Sequence, residues 1–551
     1  MFKINESQQL RLDDPIAIMP KYLKEIIDKS WATDFKKHIF SKINEDRFSV
    51  LFSEKASRPN SPVNVVIGLL IIKELFNQTD EELIGSLYFD TRYQYALNTT
   101  SYNKQPVSIN TLTNFRKRLY NHLEKTGIDL IKLEVEELAE NLAKLLNIKG
   151  NLERMDSFMV SSSCKKLSRI ELVYAVNFNL IRALNKIDNS LIPEECESYL
   201  KSGDKNEVIY RTKTDETINK LEILINHSIL LYDTFLKGNE IVQELEEFKL
   251  LKRMIKEQTD YLTTDDKNPK KGSDIKSDSL QNPSDPDATY VKKYGDNTGY
   301  TVNVLEQFDG DNGIIKTYGL EKNIYSDTKF SNDIINERPV DSDDAILLVD
   351  GAYYSQEISK EAEKKNIKMI PGELKGRKVS KDKLDYNSFV VDEENNLIAE
   401  CLNKQTPVES YYNEDRKKYK AKFSKEVCKE CPFKDKCRKK DQKKYNIVEF
   451  TEKQYEISLL RAEMDTQEYL YLKNKRSGVE GIPSVFRRRY HVDVMPIMGE
   501  VCSKIWLGFK VAAYNFKKLI KGLPFIVFFL KLIKILEKKL NFKKIIFKVG
   551  F

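Results

Sequence analysis

The chain has 551 residues, 40% of them hydrophobic and 32% charged, with a formal net charge of +7. That length gives room for several domains with real cores, and that charge content excludes a largely membrane-embedded protein. The first residues, Met1-Phe2-Lys3-Ile4-Asn5-Glu6, lack the apolar stretch of a secretory signal, so a cytoplasmic chain is expected.

In chain order, residues 1–150 read as a helical N-terminal domain. Pro62 to Phe76 is nearly continuously apolar and long enough to be a buried helix. Thr79-Asp80-Glu81-Glu82 has the form of a capping box opening a second helix with Leu83, Ile84 and Leu87 on its apolar side. Ser108 to Leu119 opens a third and sets Arg116, Lys117 and Arg118 together. Short helices ending in a basic one suit helix-turn-helix DNA binding, and equally suit a dimerisation or scaffold bundle.

Residues 151–370 begin with a strand, Asn151 to Ser163, that carries Asp156. A helical insert runs from about Leu167 to Tyr261, with Ile218, Leu221, Ile225 and Ile229 at helical spacing. A polar linker over 263–288 reads as an exposed loop. Gly299 to Leu305 and Gly313 to Tyr318 are extended runs joined through the turn Asp309-Gly310-Asp311-Asn312, which predicts an antiparallel hairpin. Phe330 to Glu337 reads as a helix. Ala345 to Val349 is a fully apolar strand of the buried, parallel type, with Asp350 at its carboxyl end, where open α/β sheets place their ligands. An insertion over 371–470 contains a predicted hairpin at Ser388–Val391 and Asn396–Ala399. Helices over 471–520 and a basic amphipathic tail over 521–551 complete the chain, and no internal repeat is visible.

Positive charge is concentrated late. Tyr411 to Tyr445 holds 14 Lys and Arg against 6 Asp and Glu, and Lys510 to Phe551 holds 11 Lys against one Glu. Together with Arg487-Arg488-Arg489, such clusters suit a phosphate backbone, whose counterions they release. Either run alone also fits a solvated Lys-rich face. The run Leu519 to Leu536 is broken by Lys521, Pro524, Lys531 and Lys534, too interrupted to span a bilayer, and no stable membrane association is expected. Phe525 to Leu536 is amphipathic enough to lie on an anionic surface, a weaker alternative.

Of seven cysteines, Cys401, Cys428, Cys431 and Cys437 cluster, and Cys428-x2-Cys431 has the spacing of a thiolate knuckle on tetrahedral zinc. Disulfides are not expected in a reducing cytosol, so free buried thiols are the alternative to zinc. Cys164, Cys196 and Cys502 are isolated and read as structural. The four histidines, at 38, 122, 227 and 491, form no ligand spacing.

Three acidic signatures stand out: Arg154-Met155-Asp156-Ser157, Val349-Asp350-Gly351-Ala352-Tyr353, and Arg476-Ser477-Gly478-Val479-Glu480. Three separated carboxylates brought together can hold two divalent ions for displacement at phosphorus, and magnesium needs few carboxylates beside waters and phosphate oxygens. The order of strand with acid, hairpin, helix, strand with acid and late helix with acid resembles the RNase H-like fold of the bacterial insertion-sequence DDE transposases. It is most similar to the long group with a helical N-terminal domain, the IS eleven-eighty-two type. The resemblance runs from Pro62 to about Leu519. It is carried by these signatures, by Gly299-Tyr300, by Arg487, and by Val511-Ala512-Ala513-Tyr514-Asn515-Phe516-Lys517-Lys518-Leu519, similar to the helix that closes the family's catalytic domain.

The resemblance implies an α/β fold, an RNase H-like mixed sheet flanked by helices, with a helical N-terminal domain and a Cys-rich insertion. It implies that Asp156, Asp350 and Glu480 hold Mg²⁺ or Mn²⁺, and that Arg476, Arg487, Arg488 and Lys473 contact DNA. The family's related pattern has Tyr where Lys473 stands, leaving Tyr471 as the nearest tyrosine. In one continuous helix Arg476, Glu480 and Arg487 would share a face, whereas Pro483 argues that Glu480 sits at a helix start. Glu500 is the alternative third acid. The implied activity is cleavage and strand transfer on the element's terminal inverted repeats and a target DNA, by a homodimer. A non-catalytic DNA-binding descendant and an RNase H-like nuclease remain the alternatives.

Overall fold

The computed structural model describes the chain apart from residues 6–15, 56–57, 100–104, 150, 211–215, 293–295, 341–343, 375–379, 381, 393, 396, 494 and 524–551. The tail expected over 521–551 thus lies outside the described residues from 524 onward. The chain divides into one unit of Met1–Gly150, Met155–Phe330 and Glu480–Phe551, and a second of Asn151–Arg154 and Ser331–Val479.

In the first unit, the described residues begin with the helices α1 (Lys21–Asp28), α2 (Trp31–His38), α3 (Val63–Phe76), α4 (Asp80–Phe89), α5 (Thr91–Ala96), α6 (Ile109–Thr126) and α7 (Leu130–Leu145). Helix α3 is buried on almost every side, as its unbroken apolarity requires. The capping box at α4 forms as expected, with Glu82 accepting from the Thr79 N–H at 2.8 Å and Thr79 accepting from the Glu82 N–H. Within this bundle Glu134 is 1% exposed, accepts from the Asn44 N–H at 3.0 Å and pairs with Arg47 at 3.1 Å. Burial nevertheless pushes its carboxyl up to about 7. A folded value above the ordinary one makes folding take up a proton. The associated stability is present below the unfolded pKa and is lost as pH rises through about 7. Wild-type melting temperature should therefore fall between pH 5 and pH 8, and the fall should be shallower in Glu134→Gln.

Strands β1 (Leu152–Ser161), β2 (Thr289–Lys292), β3 (Asp296–Asp309) and β4 (Asn312–Lys322) are joined by a helical insert. The insert comprises α8 (Arg169–Ile187), α9 (Thr217–Leu236), α10 (Glu240–Gln243), α11 (Glu246–Gln258) and α12 (Tyr261–Thr264). It has its own core, in which Leu221, Ile225 and Ile229 take part while Ile218 is exposed. The predicted hairpin is the antiparallel pair β3–β4, turning at Gly310 with φ +56°. A side chain at Gly299 would put its Cβ 2.2 Å from the Val160 carbonyl of β1, so only glycine fits there.

The linker over 263–288 differs from expectation. Its first part is exposed, but Ser279, Leu280, Asn282, Asp285 and Ala288 are buried. Asp285 is fully buried because two hydroxyls satisfy it: Tyr300 donates at 2.6 Å, and Ser162, just past β1, donates to the other oxygen. Composition suggested a loop, and the carboxylate makes it a buttress.

A helix over 500–523 returns to this unit and is buried along Val511 to Phe516. Asn515 accepts from the Ile315 N–H at 2.9 Å and donates to its carbonyl at 2.8 Å. Lys510, counted above in the basic run, is not a surface charge. It is 3% exposed, pairs with Glu74 of α3 at 2.6 Å and lies 4.4 Å from the Trp506 ring. Among the described residues no helix is long and apolar enough to cross a membrane.

The second unit holds the start of β1, then β5 (Ala345–Val349) and β6 (Ile367–Pro371), pairing in parallel from Leu152↔Ile346 through Val349↔Pro371. The strand order is β2-β3-β1-β5-β6 with β4 on β3, a mixed sheet. Helix α13 (Asp327–Glu337) precedes β5 and α14 (Gln356–Glu363) follows it. The hairpin expected near 388–399 is the antiparallel pair β7 (Val390–Asp392) and β8 (Leu397–Glu400). Beyond it lies a four-stranded sheet in the order β11-β12-β10-β9, from β9 (Glu409–Asn413), β10 (Lys418–Ser424), β11 (Lys440–Asp441) and β12 (Tyr445–Thr451). Its lysines alternate with a buried face of Tyr419, Ala421 and Phe423. Lys418 and Lys440 pair with Glu449, and Lys422 with Glu409. Lys418, Lys422 and Lys440 of the charge run over 411–445 thus belong to a paired sheet face, which favours the solvated-face alternative for them. Helix α15 (Lys425–Lys429) lies between β10 and β11, α16 (Glu452–Met464) and α17 (Gln467–Arg476) follow β12, and α18 (Gly481–Tyr490) lies in the first unit.

Candidate active site

Asp350 follows a strand whose apolar run forces burial, and is itself exposed where the chain turns out of β5. The Gly351 N–H donates to its Oδ1 at 2.8 Å, and the Tyr353 N–H to its carbonyl at 2.9 Å, with the Tyr353 ring buried beneath. Asp156 sits midway along β1, half-buried, between Met155 and Phe158, which is two residues on and buried like Met155. Its Oδ1 accepts from the Ser157 N–H at 2.9 Å. Both aspartates therefore have one carboxylate oxygen fixed by the next backbone N–H.

Arg154 has a role that its place in the motif did not reveal. It is 9% exposed and donates from Nη1 to the Lys475 carbonyl at 2.7 Å. A Cβ at Gly478 would stand 2.1 Å from that same Nη1, so the turn before Glu480 lies close over the guanidinium, and a larger residue there would have to displace it. An arginine amid the apolar residues of a buried strand, together with a glycine two positions before an acid, was the available signal.

Glu480 is exposed and is the N-cap of α18, and Pro483 is buried in the first turn, as Pro483 predicted. The shared helical face is corrected. Arg476 ends α17 and Ser477–Glu480 is a 3-10 turn, so the α-helical period breaks between Arg476 and Arg487. Arg476 instead packs over Gly372 just beyond β6, where an added Cβ would meet its Nε at 3.1 Å. Arg487, Arg488 and Arg489 are exposed at the end of α18, with Arg487 at 3.4 Å from Asp493. Lys473 lines a cleft of about 620 Å³ that also contains Arg461 and the acids Glu373, Asp385 and Asp465. Glu500 is engaged by Lys504 at 2.7 Å.

Asp156 and Glu480 belong to the first unit and Asp350 to the second. The three supply hard oxygen donors of the kind magnesium takes. Among the described residues no group of three or more His, Cys, Asp or Glu is arranged to hold a metal ion.

Cys401, Cys428, Cys431 and Cys437 are free, partly buried thiols that line one cavity of about 40 Å³ with Phe389, Phe423 and Val448. Burial pushes the Cys437 thiol up, and the other three sulfurs add to the shift. Cys401 and Cys431 each head a tight turn, their carbonyls accepting from Lys404 at 2.8 Å and Lys434 at 3.1 Å. Of the isolated cysteines, Cys196 is fully buried, consistent with a structural part.

Residues 400–520 match the family described as Transposase DDE domain, a span that contains all four clustered cysteines, Lys473, Arg476, Glu480, Arg487 and Arg488. Residues 23–118 match the family described as Transposase domain (DUF772). No curated protein and no solved structure matches the chain. Over two separate segments, then, this chain is similar to transposase domains, the later of the DDE type.

Proposed function

We propose that the chain is a DDE transposase of the IS eleven-eighty-two type, with an RNase H-like catalytic domain that nicks element ends and transfers the 3′-hydroxyls to target DNA. The observation that carries this reading is the match of 400–520 to a transposase DDE domain. An antiparallel meander continued by parallel β5 and β6, with an acid on β1 and another after β5, supports it.

In this reading Asp156, Asp350 and Glu480 hold Mg²⁺ or Mn²⁺. When bound, such ions activate the attacking hydroxyl or water and stabilise the leaving oxygen. The Ser157 and Gly351 amides keep two of the carboxylates oriented, and Arg154 with Gly478 sets the turn that presents Glu480. The exposed guanidiniums of Arg487 and Arg488 grip phosphates, with Arg476 and Lys473 as further contacts. Two ends react together, so the working form is a homodimer in the cytoplasm.

Purified protein with Mg²⁺ or Mn²⁺ and a labelled duplex from beside its gene tests this. Metal-dependent 3′ nicking followed by joining to a second duplex is expected. Hydrolysis without joining would point to a nuclease, and binding without cleavage to a non-catalytic DNA-binding protein.

The four clustered cysteines bind a structural zinc in this reading, since four thiols around one small cavity offer the donor set that zinc prefers. Elemental analysis should find one zinc per chain. Removing it with a chelator, or replacing Cys428 and Cys431 with Ser, should lower the melting temperature by roughly 10 °C. A metal-free protein that melts at the same temperature would leave the cluster as free thiols.

A further inference from the structure

Helix α6 runs for 18 residues, about 27 Å. Leu112, Phe115, Leu119 and Leu123 bury one side of it. Arg116, the first of the three clustered cations, is spent within the fold, bonding both oxygens of Asp80 on α4 at 2.6 and 2.8 Å. The opposite side is exposed and carries Asn110, Asn114, Lys117, Arg118 and Asn121. Spacings of four, three, one and three residues put these on a single stripe. From Asn110 to Asn121 the only other exposed residue is Thr113, so no apolar and no acidic side chain interrupts this part of the stripe, which is flanked by the exposed Ile109 and Glu124.

Beside the start of this stripe is an open cleft of about 750 Å³. Arg58, Ser108, Asn114 and Arg118 line it, and none of its lining residues is acidic. The Arg118 guanidinium rests 4.7 Å above the Phe52 ring, which holds it at the cleft.

A subunit interface wants an apolar centre, and between Asn110 and Asn121 the exposed stripe of the helix has no apolar side chain, although the cleft beside it is lined in part by Phe52, Val66 and Tyr88. A purely electrostatic contact would need lysines and arginines but not the three asparagines. Amides and a guanidinium on one exposed helical face match base edges: Asn pairs bidentately with adenine, Arg with guanine, and a helix fits the major groove.

We infer that α6 enters the major groove of duplex DNA, where Asn114 and Arg118 read base edges while Lys117 and Arg58 hold the flanking phosphates. The inference rests on the transposase reading for which duplex is read, namely the end of the element.

Full-length protein is titrated with two labelled duplexes, the non-coding DNA flanking its gene and a shuffled duplex of the same composition. The wild type is expected to prefer the flanking DNA. Asn114→Ala and Arg118→Lys should each reduce that preference about tenfold while leaving affinity for the shuffled duplex unchanged. Lys117→Ala should weaken both complexes alike and lower the salt slope by about one. All three positions are exposed, so unchanged thermal unfolding is expected and serves as the folding check. Full preference retained by both Asn114→Ala and Arg118→Lys would overturn the inference and leave end recognition to another surface. A wild type with no preference would overturn the inference and end recognition together.

Discussion

Asp350→Asn is expected to reduce end cleavage and joining by about a hundredfold or more, the scale of losing one group that stabilises charge in the transition state. DNA affinity and melting temperature should not change. The amide oxygen of Asn can still accept from the Gly351 N–H, so the turn after β5 survives, and only the charge is lost. Activity is measured as labelled strand-transfer product per unit time at saturating Mg²⁺. Glu500→Gln is the informative control: Glu500 is already engaged by Lys504, and this variant should stay active. Equal activity of wild type and Asp350→Asn would remove Asp350 from the reaction.

The largest effect on stability is expected at the buried pair of Lys510 and Glu74. Lys510 is 3% exposed, and burial lowers its pKa, so its charge persists only because Glu74 answers it. Glu74→Ala leaves an ammonium buried under Trp506 with no counter-charge and should cost about 3–5 kcal/mol. Replacing both, as Glu74→Leu with Lys510→Met, should recover most of that loss, because two desolvated charges give way to apolar packing. Urea midpoints of the three proteins decide this. A double variant no better than Glu74→Ala would mean that the pair contributes more than its mutual neutralisation.

Local pattern and tertiary pairing divide what the sequence disclosed from what it hid. The hairpin of β3 and β4, the apolar strand β5 with Asp350 at its end, the capping box at Thr79 and the helix start at Glu480 each follow from residues near one another in sequence, and each is present. Asp285 and Lys510 were misread because their burial depends on partners far along the chain, Ser162 and Glu74. Composition around both is polar, and no local rule overrides that. The lysine-rich segment near 420 is a different kind of miss. Tyr419, Ala421 and Phe423 alternate with lysines at period two, a strand signal in plain view that the charge count obscured. Arg154 and Gly478 were quoted as motif residues without a role, since their contact joins positions more than 300 residues apart.

The proposed metal site requires that Asp156, Asp350 and Glu480 share bound metal. Replacing Mg²⁺ with Fe²⁺ and adding hydrogen peroxide, with ascorbate to return Fe³⁺ to Fe²⁺, generates hydroxyl radicals at the metal, which cut the nearby backbone. Cuts beside 156, 350 and 480 together are expected, suppressed by excess Mg²⁺ and lost in Asp350→Asn. Cuts confined to one of these positions, or cuts that persist unchanged in the variant, would contradict it.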